Sequence, residues 1–286
     1  MERLKLETSL RQALDGSELF LHYQPKLNVA TGQIADVEAQ LRWNHPVLGE
    51  LPPNQLIPLA EETGLIVPIG RWVLKTACTQ SMLWQRHGLV PVSIAVNLSP
   101  RQFADVNLLR DIDSALADSG LSPHLLQLEI SESTVMLNVG RAVELLDAIQ
   151  SRGIRLAIAD FGMGYSSMSL MKRFPIDTIK IDQSFMQDLP LGAEDKGIAE
   201  AIIGMGKALG VTVIAEGVET SDQEVFLRKH ACDELQGFLF SKAVSSEDLA
   251  ILLQSQAPIL SPSLQPLDTE RPFQIDAETP SRVPMA

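Results

Sequence analysis

The chain has 286 residues, 45% of them hydrophobic, with a formal net charge of −13, and that length is enough for a sizeable core. The acidic balance argues against a broad nucleic-acid surface, which would need clustered Lys and Arg. No run approaches the ~18 apolar residues of a membrane span, and the start, MERLKLETSL, is too charged for a signal-peptide core, so the chain is predicted to be soluble and cytoplasmic.

Met1 to Gly16 carries Leu4, Leu10 and Leu14 at helical spacing, with Gly16 as a stop; residues 1–16 are predicted to be a leading linker helix. Strands are then predicted at 19–28, 34–43, 92–99, 125–132, 155–161, 178–185, 212–218 and 234–241. Helical patterns fill 54–88, broken near Gly64 and Pro68, then 104–119, 139–152, 166–174, 194–209, 221–230 and 246–254. The first two strands are joined by VATGQ, too short for a helix and suited to a hairpin turn. The others alternate with helices, which implies parallel crossovers. Eight strands in this order predict an α/β fold, a TIM-like (β/α)8 barrel over 17–254 with one antiparallel strand; a doubly wound open sheet is the structural alternative. After Gln254 the sequence turns Pro- and Ser-rich without periodicity, so 255–286 is predicted to be a disordered tail, with a partner-binding segment as the alternative. Cys78 and Cys232 lack CxxC spacing or a neighbouring histidine and read as ordinary core residues.

In a barrel of this kind the site lies at the C-terminal ends of the strands. The predicted ends carry Glu38 and Arg42, Asn97, Glu129 and Glu132, Asp160, Lys180 and Asp182, Glu216 and Glu219, and Gln236. Any one of these alone reads as a solvated or capping residue. Together, charges embedded in apolar strands need one another or a metal. The hard oxygen donors Glu38, Asn97, Glu129 and Asp160, without clustered histidines, point to Mg²⁺ or Mn²⁺ rather than Zn²⁺. Lys180 could orient a water or neutralise a phosphate oxygen, and Glu216 could serve as a general base. Carboxylates, a divalent cation and a lysine suit phosphoester chemistry, and a small phosphate ligand is compatible with the acidic background. Gly162-Met163-Gly164 reads as a sharp turn beside the site, since no GK[ST] follows it.

Between Leu19 and Leu253 the motifs YQPKLNVATGQIADVEAQLRW, VNLSPRQF, LEISES, DFGMGYSSM, IKIDQSF, VIAEGVET and LQGFLFSKAV occur together. In this combination the chain resembles the EAL domains, which hydrolyse or bind the bacterial second messenger cyclic di-GMP. The resemblance implies the same barrel with one antiparallel strand. It implies metal ligation by Glu38, Asn97, Glu129 and Asp160, with Asp182 nearby, and positioning and activation of the hydrolytic water by Lys180 and Glu216. Gln24, Arg42, Glu219 and Gln236 match positions that contact the dinucleotide, and Glu132 matches the acid that steadies the glycine loop.

Departures from the family pattern matter at two places, the signature triplet and the stretch from Ala159 into the glycine loop. The signature triplet is Glu38-Ala39-Gln40, with Gln in place of Leu. Ala159 stands where catalytically active members carry the first of two Asp residues, which bridges two metals, and Met163 replaces the usual Thr in the loop. A methyl group cannot coordinate Mg²⁺, and losing even an outer partner of a metal site costs about 10–100-fold. The expected function is therefore that of a degenerate EAL receptor, similar to those of type IV pilus and biofilm regulators. It would bind cyclic di-GMP, with Mg²⁺ or Mn²⁺ not required for binding, and relay occupancy to a protein effector with little or no hydrolysis. The alternative is an active metal-dependent phosphodiesterase producing linear pGpG; a scaffold that has lost nucleotide binding is the third. The resemblance also implies an upstream GGDEF or sensory domain joined through the leading helix, and a homodimer contact near the glycine loop.

Overall fold

In the computed structural model the described residues are 2–164 and 168–255. The chain runs through α1 (Glu2–Asp15), β1 (Leu19–Asn28), β2 (Ile34–His45), β3 (Gly49–Leu51), α2 (Pro53–Thr63), α3 (Ile66–Arg86), β4 (Ser93–Leu98), α4 (Pro100–Phe103) and α5 (Leu108–Ser119). It continues through β5 (Leu126–Ser131), α6 (Glu132–Met136), α7 (Val139–Gln150), β6 (Arg155–Phe161), α8 (Met168–Met171), β7 (Thr178–Ile181), α9 (Ala193–Leu209), β8 (Thr212–Ala215), α10 (Ser221–Lys229), β9 (Glu234–Leu235) and α11 (Ser246–Ser255).

β1 and β2 form the expected hairpin, paired antiparallel from Leu19 with Trp43 to Leu27 with Ile34. β2 then pairs parallel with β4, and parallel pairing continues through β5, β6, β7, β8 and β9. β9 meets the far edge of β1, antiparallel, at Leu27 with Leu235. The sheet is thus a closed eight-stranded TIM-type barrel in which β1 is the antiparallel strand; β3 only extends the β2 edge. Because β1 runs against its neighbours, its N-terminal end stands at the rim where the other strands end.

The period of two along each strand sorts its residues. Outward positions such as Ile94, Val96, Leu128, Ile130, Leu156 and Ile158 are buried and join one hydrophobic cluster with the helices. The alternate positions, among them Ala95, Gln127, Glu129, Ala157, Thr178 and Lys180, turn into the barrel. The core is therefore the layer between sheet and helices, and the barrel axis takes polar side chains interleaved with small apolar ones such as Ala95 and Ala157.

Several element boundaries differ from the sequence expectation. β7, β8 and β9 end at Ile181, Ala215 and Leu235, short of 185, 218 and 241. After β7 the Asp182 carboxylate accepts from the Ser184 N–H at 2.8 Å and starts a tight turn over Gln183–Met186. After β8 the chain turns at Gly217, φ 70°. The 54–88 helix breaks only at Gly64, whose left-handed φ of 76° caps α2. Pro68 lies in the first turn of α3, where a missing N–H costs nothing. The helix expected from 104 begins at 108, because Ser99 and Gln102 form a reciprocal cap on the separate α4. Of the helix expected over 166–174, residues 166–167 lie outside the described residues, and α8 occupies 168–171. The tail from 256 to 286 also lies outside them. No described helix is long and apolar enough to cross a membrane.

Candidate functional site

The interior side chains form a column of charges along the barrel axis. At its base, on the first inward positions of β2, β6 and β9, Arg155 pairs with Asp36 at 3.2 Å, and Glu234 is buried beside them. Burial, then the Asp36 charge, pushes the Glu234 carboxyl up to about 7. Above them Lys26 of β1 is fully buried, and its Nζ donates to Glu129 Oε1 at 2.6 Å and Gln127 Oε1 at 3.2 Å. Gln127 Nε2 in turn donates to Thr178 Oγ1 at 3.1 Å.

The next level is the densest. The Lys180 ammonium reaches Glu38 Oε2 at 3.1 Å and Glu216 Oε1 at 2.5 Å, and it also donates to Glu129 Oε2. Burial opposes its charge, but Glu129, Glu216 and Glu38 hold the Lys180 pKa well above the ordinary lysine value. Burial likewise raises Glu38, yet Lys180, Lys26 and the amides of Gln236 and Asn97 outweigh it and bring the carboxyl to about 2. Glu216 goes the other way, to about 7, because burial and the neighbouring carboxylates Glu38 and Glu129 exceed the help of Lys180.

At the rim, Asn97 Nδ2 donates to Glu38 Oε1 at 2.7 Å. β6 departs from regular pairing with β7 between Ile158 and Phe161, and within that irregularity Asp160 takes a left-handed φ of 54°, a conformation that non-glycine residues adopt at a cost of about 1–3 kcal/mol and mostly at functional sites. Burial, followed by Asp182, raises the Asp160 carboxyl above its usual range, which places these two acids in one field. Ala159, buried, presents only its methyl group to the cleft that Glu129, Asp160 and Lys180 also line. Behind it Glu132 holds the glycine loop: its Oε2 accepts from the N–H groups of Gly162 and Gly164 at 3.0 and 3.3 Å. A Cβ on Gly164 would stand 2.6 Å from Glu132 Oε1, so the loop approaches this closely only with glycine there.

Over the β1–β2 side, Gln24, Gln40, Arg42 and Gln236 form a chain of amides and guanidinium that reaches Glu38. Gln236 Nε2 donates to Glu38 Oε2 at 2.7 Å and to Gln24 Oε1 at 3.2 Å. The whole opens into a cleft of about 600 Å³ whose far wall, from α2 and α3, carries Ile57, Ile66, Ile69 and Val73, with Glu61 among them. Such a volume lies within the usual range for small-molecule sites.

Of the residues singled out from sequence, Glu38, Asn97, Glu129, Asp160, Lys180 and Glu216 line this one cleft. Gln24, Arg42 and Gln236 connect to it through hydrogen bonds, Glu132 acts from behind through the loop, and Asp182 acts on Asp160. Glu219 stands apart: its side chain is exposed, and its backbone N–H donates to Gln223 Oε1 at 2.7 Å in the cap of α10. Sequence reasoning missed Lys26. The signal was a lysine in a run whose neighbours on both sides become buried, but the strand-end criterion passed over it because β1 runs in reverse.

The donor set fits a hard divalent cation. Carboxylate oxygens of Glu38, Glu129 and Glu216 lie within 4.8 Å of one another, and oxygen ligands at this density are what Mg²⁺ or Mn²⁺ select. A second cation would find Asp160 and Asp182 but no donor at position 159.

Residues 7–243 match the model of the EAL domain. The chain is 44% identical over 248 residues to the bifunctional diguanylate cyclase/cyclic di-GMP phosphodiesterase MucR of Pseudomonas aeruginosa, covering 87% of this chain and 36% of that protein. The chain spans about a third of the length of the curated relatives it matches. Among solved structures, the PaMucR phosphodiesterase in its c-di-GMP complex superposes with a TM-score of 0.83 at 43% identity, covering 87% of this chain and 100% of that one. The FimX EAL domain from Pseudomonas aeruginosa bound to c-di-GMP gives 0.76 at 25% identity, covering 84% and 96%.

Proposed function

We propose, from the premise that the chain belongs to the EAL domain family, that it is a cyclic di-GMP receptor with little or no hydrolytic activity. Binding is supported by the cleft itself and by the array of Gln24, Arg42 and Gln236 at its mouth. The guanidinium of Arg42 suits a phosphodiester oxygen, and a planar donor of this kind needs no cation beside it. The apolar side chains on the wall from α2 and α3 give the bases a surface to pack against.

The observation that carries the low-activity reading is Ala159. A divalent cation, when held by Glu38, Asn97, Glu129 and Asp160, would activate water and offset charge at phosphorus. The methyl at 159 removes a donor from that set, and it lies next to the strained Asp160 rather than at the periphery. Lys180 meanwhile contacts Glu38, Glu129 and Glu216 directly and, with Lys26 on Glu129, offsets part of their charge, which lessens the cluster's need for a metal. Both features favour ligand capture over turnover. Relay to a protein effector, a site in the cytoplasm and attachment through α1 to an upstream domain complete this reading; the partial coverage of longer relatives supports the last.

A working phosphodiesterase is the second reading, favoured by the retained Glu38, Glu129, Lys180 and Glu216 and by the name of MucR. The experiment is a calorimetric titration with cyclic di-GMP in EDTA and again with Mg²⁺ or Mn²⁺, followed by an assay for linear pGpG. Binding in EDTA with no product in either metal is expected. Sustained turnover would replace the receptor by the enzyme, and absence of binding would remove both.

A further inference from the structure

Gln40, where the family triplet carries leucine, has no place in the ligand or metal roles described so far. It lies half-buried on the wall of the cleft. Alternation along β2 aims it the same way as Glu38 and Arg42, and the antiparallel register sets the three across from Gln24, His22 and Phe20 of β1. Both ends of its amide are engaged. Nε2 donates to Gln24 Oε1 at 2.8 Å, and Oε1 accepts from Arg42 Nη2 at 3.0 Å. The Gln24 oxygen also accepts from Gln236, which donates to Glu38 as well, while Gln24 Nε2 donates to the Ser241 carbonyl at 3.1 Å. A leucine could make neither of the Gln40 bonds. Among the described residues Arg42 would keep the Leu41 carbonyl at 3.0 Å and the solvent-facing Glu50 at 3.5 Å.

We infer that Gln40 is a positioning residue for the phosphodiester ligand: it joins Arg42 and Gln24 into one preformed array and, through Gln236, ties that array to Glu38. The inference deepens the binding function proposed above and rests on it. Its physical content is preorganisation. A guanidinium already fixed before the ligand arrives loses less freedom on binding, and that difference appears as affinity. A charge-assisted bond of this kind corresponds to about a tenfold change in Kd. The orientation also suits the task, because the bond to Gln40 uses one Nη2 hydrogen and leaves the other free for the ligand.

The test titrates the whole chain with cyclic di-GMP in EDTA, comparing wild type with Gln40→Leu, the ordinary family residue, and Gln40→Met, which keeps the length of the side chain. Both variants should bind about tenfold more weakly while their thermal midpoints stay at the wild-type value; if one misfolds, the other carries the test. A merely structural role is separated by repeating Gln40→Met in an Arg42→Lys background, where no fork remains to be held and the loss should shrink to about twofold or less. Equal affinity of wild type and both variants overturns the inference, as does an undiminished tenfold loss in the Arg42→Lys background. If the wild type does not bind, the proposed function falls and this inference with it; if the wild type binds and the variants match it, only the inference falls.

Discussion

Lys26→Met removes a buried charge without shortening the side chain, and its cost follows from the contacts. Lys26 is fully buried, bonded at 2.6 Å to Glu129, and Glu129 is also inaccessible. Deleting one partner of such a pair typically costs about 3–5 kcal/mol, because the other charge is stranded in a poorly polarisable interior. Glu129 keeps Lys180 on its second oxygen, which argues for the lower end, about 3 kcal/mol. Gln127 Oε1 loses a donor at 3.2 Å as well, adding up to about 1 kcal/mol. The expected loss is therefore about 3–4 kcal/mol by urea denaturation, or roughly 6–16 °C in midpoint for a domain of this size. Adding Glu129→Gln should return about 2 kcal/mol, since the stranded charge is then gone. A loss under about 1 kcal/mol, or strict additivity of the two changes, would refute the view that the barrel axis is held by paired charges.

Ala159→Asp restores a carboxylate facing the cleft, and in Mn²⁺ it should raise pGpG formation at least about tenfold over wild type; no gain would mean that Met163 or the loop also blocks turnover. Glu234 carries a folded pKa of about 7 against an ordinary 4.5. The folded chain then holds a proton that the unfolded chain has released between these values, so stability falls as pH rises from about 4.5 to 7 and is level above, by about 3 kcal/mol in all. Glu234→Gln should remove that loss, and equal slopes of wild type and variant between pH 5 and 8 would contradict it. Glu132→Ala strips the acceptor from the Gly162 and Gly164 N–H groups; these amides should exchange with solvent at least about tenfold faster while those of the β5–β6 ladder keep their wild-type rates.

Much of the barrel was legible because its outer layer follows simple periodicity. Runs such as SIAVNL and RLAIADF place one face on the helices, and the VATGQ hairpin fixed the direction of β1. The cluster was legible for the same reason, as Glu38, Asn97, Glu129 and Lys180 occupy inward positions of their strands and Glu216 directly follows β8. What was not legible depends on direction and on distance through space. Lys26 sits mid-strand in sequence yet beneath the site, because β1 enters from the rim. Glu219 follows the strand-end pattern; its side chain is exposed and its backbone N–H belongs to the cap of α10. The bridge made by Gln40 needs three side chains from two strands in one register, and neither composition nor period records that. The early ends of β7 and β8 come from a single cap and a single glycine, each too local to alter an apolar run.

The separation of an apolar outer layer from a charged axis bears on how this sequence could come to carry Ala159. The outward face of β6 packs into the cluster that stabilises the fold, whereas position 159 lines the same cleft as Glu129 of the adjacent strand and its own chain neighbour Asp160. An acid there would add one more like charge to carboxylates that Lys180 and Lys26 offset only in part. Alanine relieves that repulsion and removes nothing from the hydrophobic layer. Alanine in place of an acid at this position therefore costs the fold nothing, so stability alone would not retain a carboxylate there.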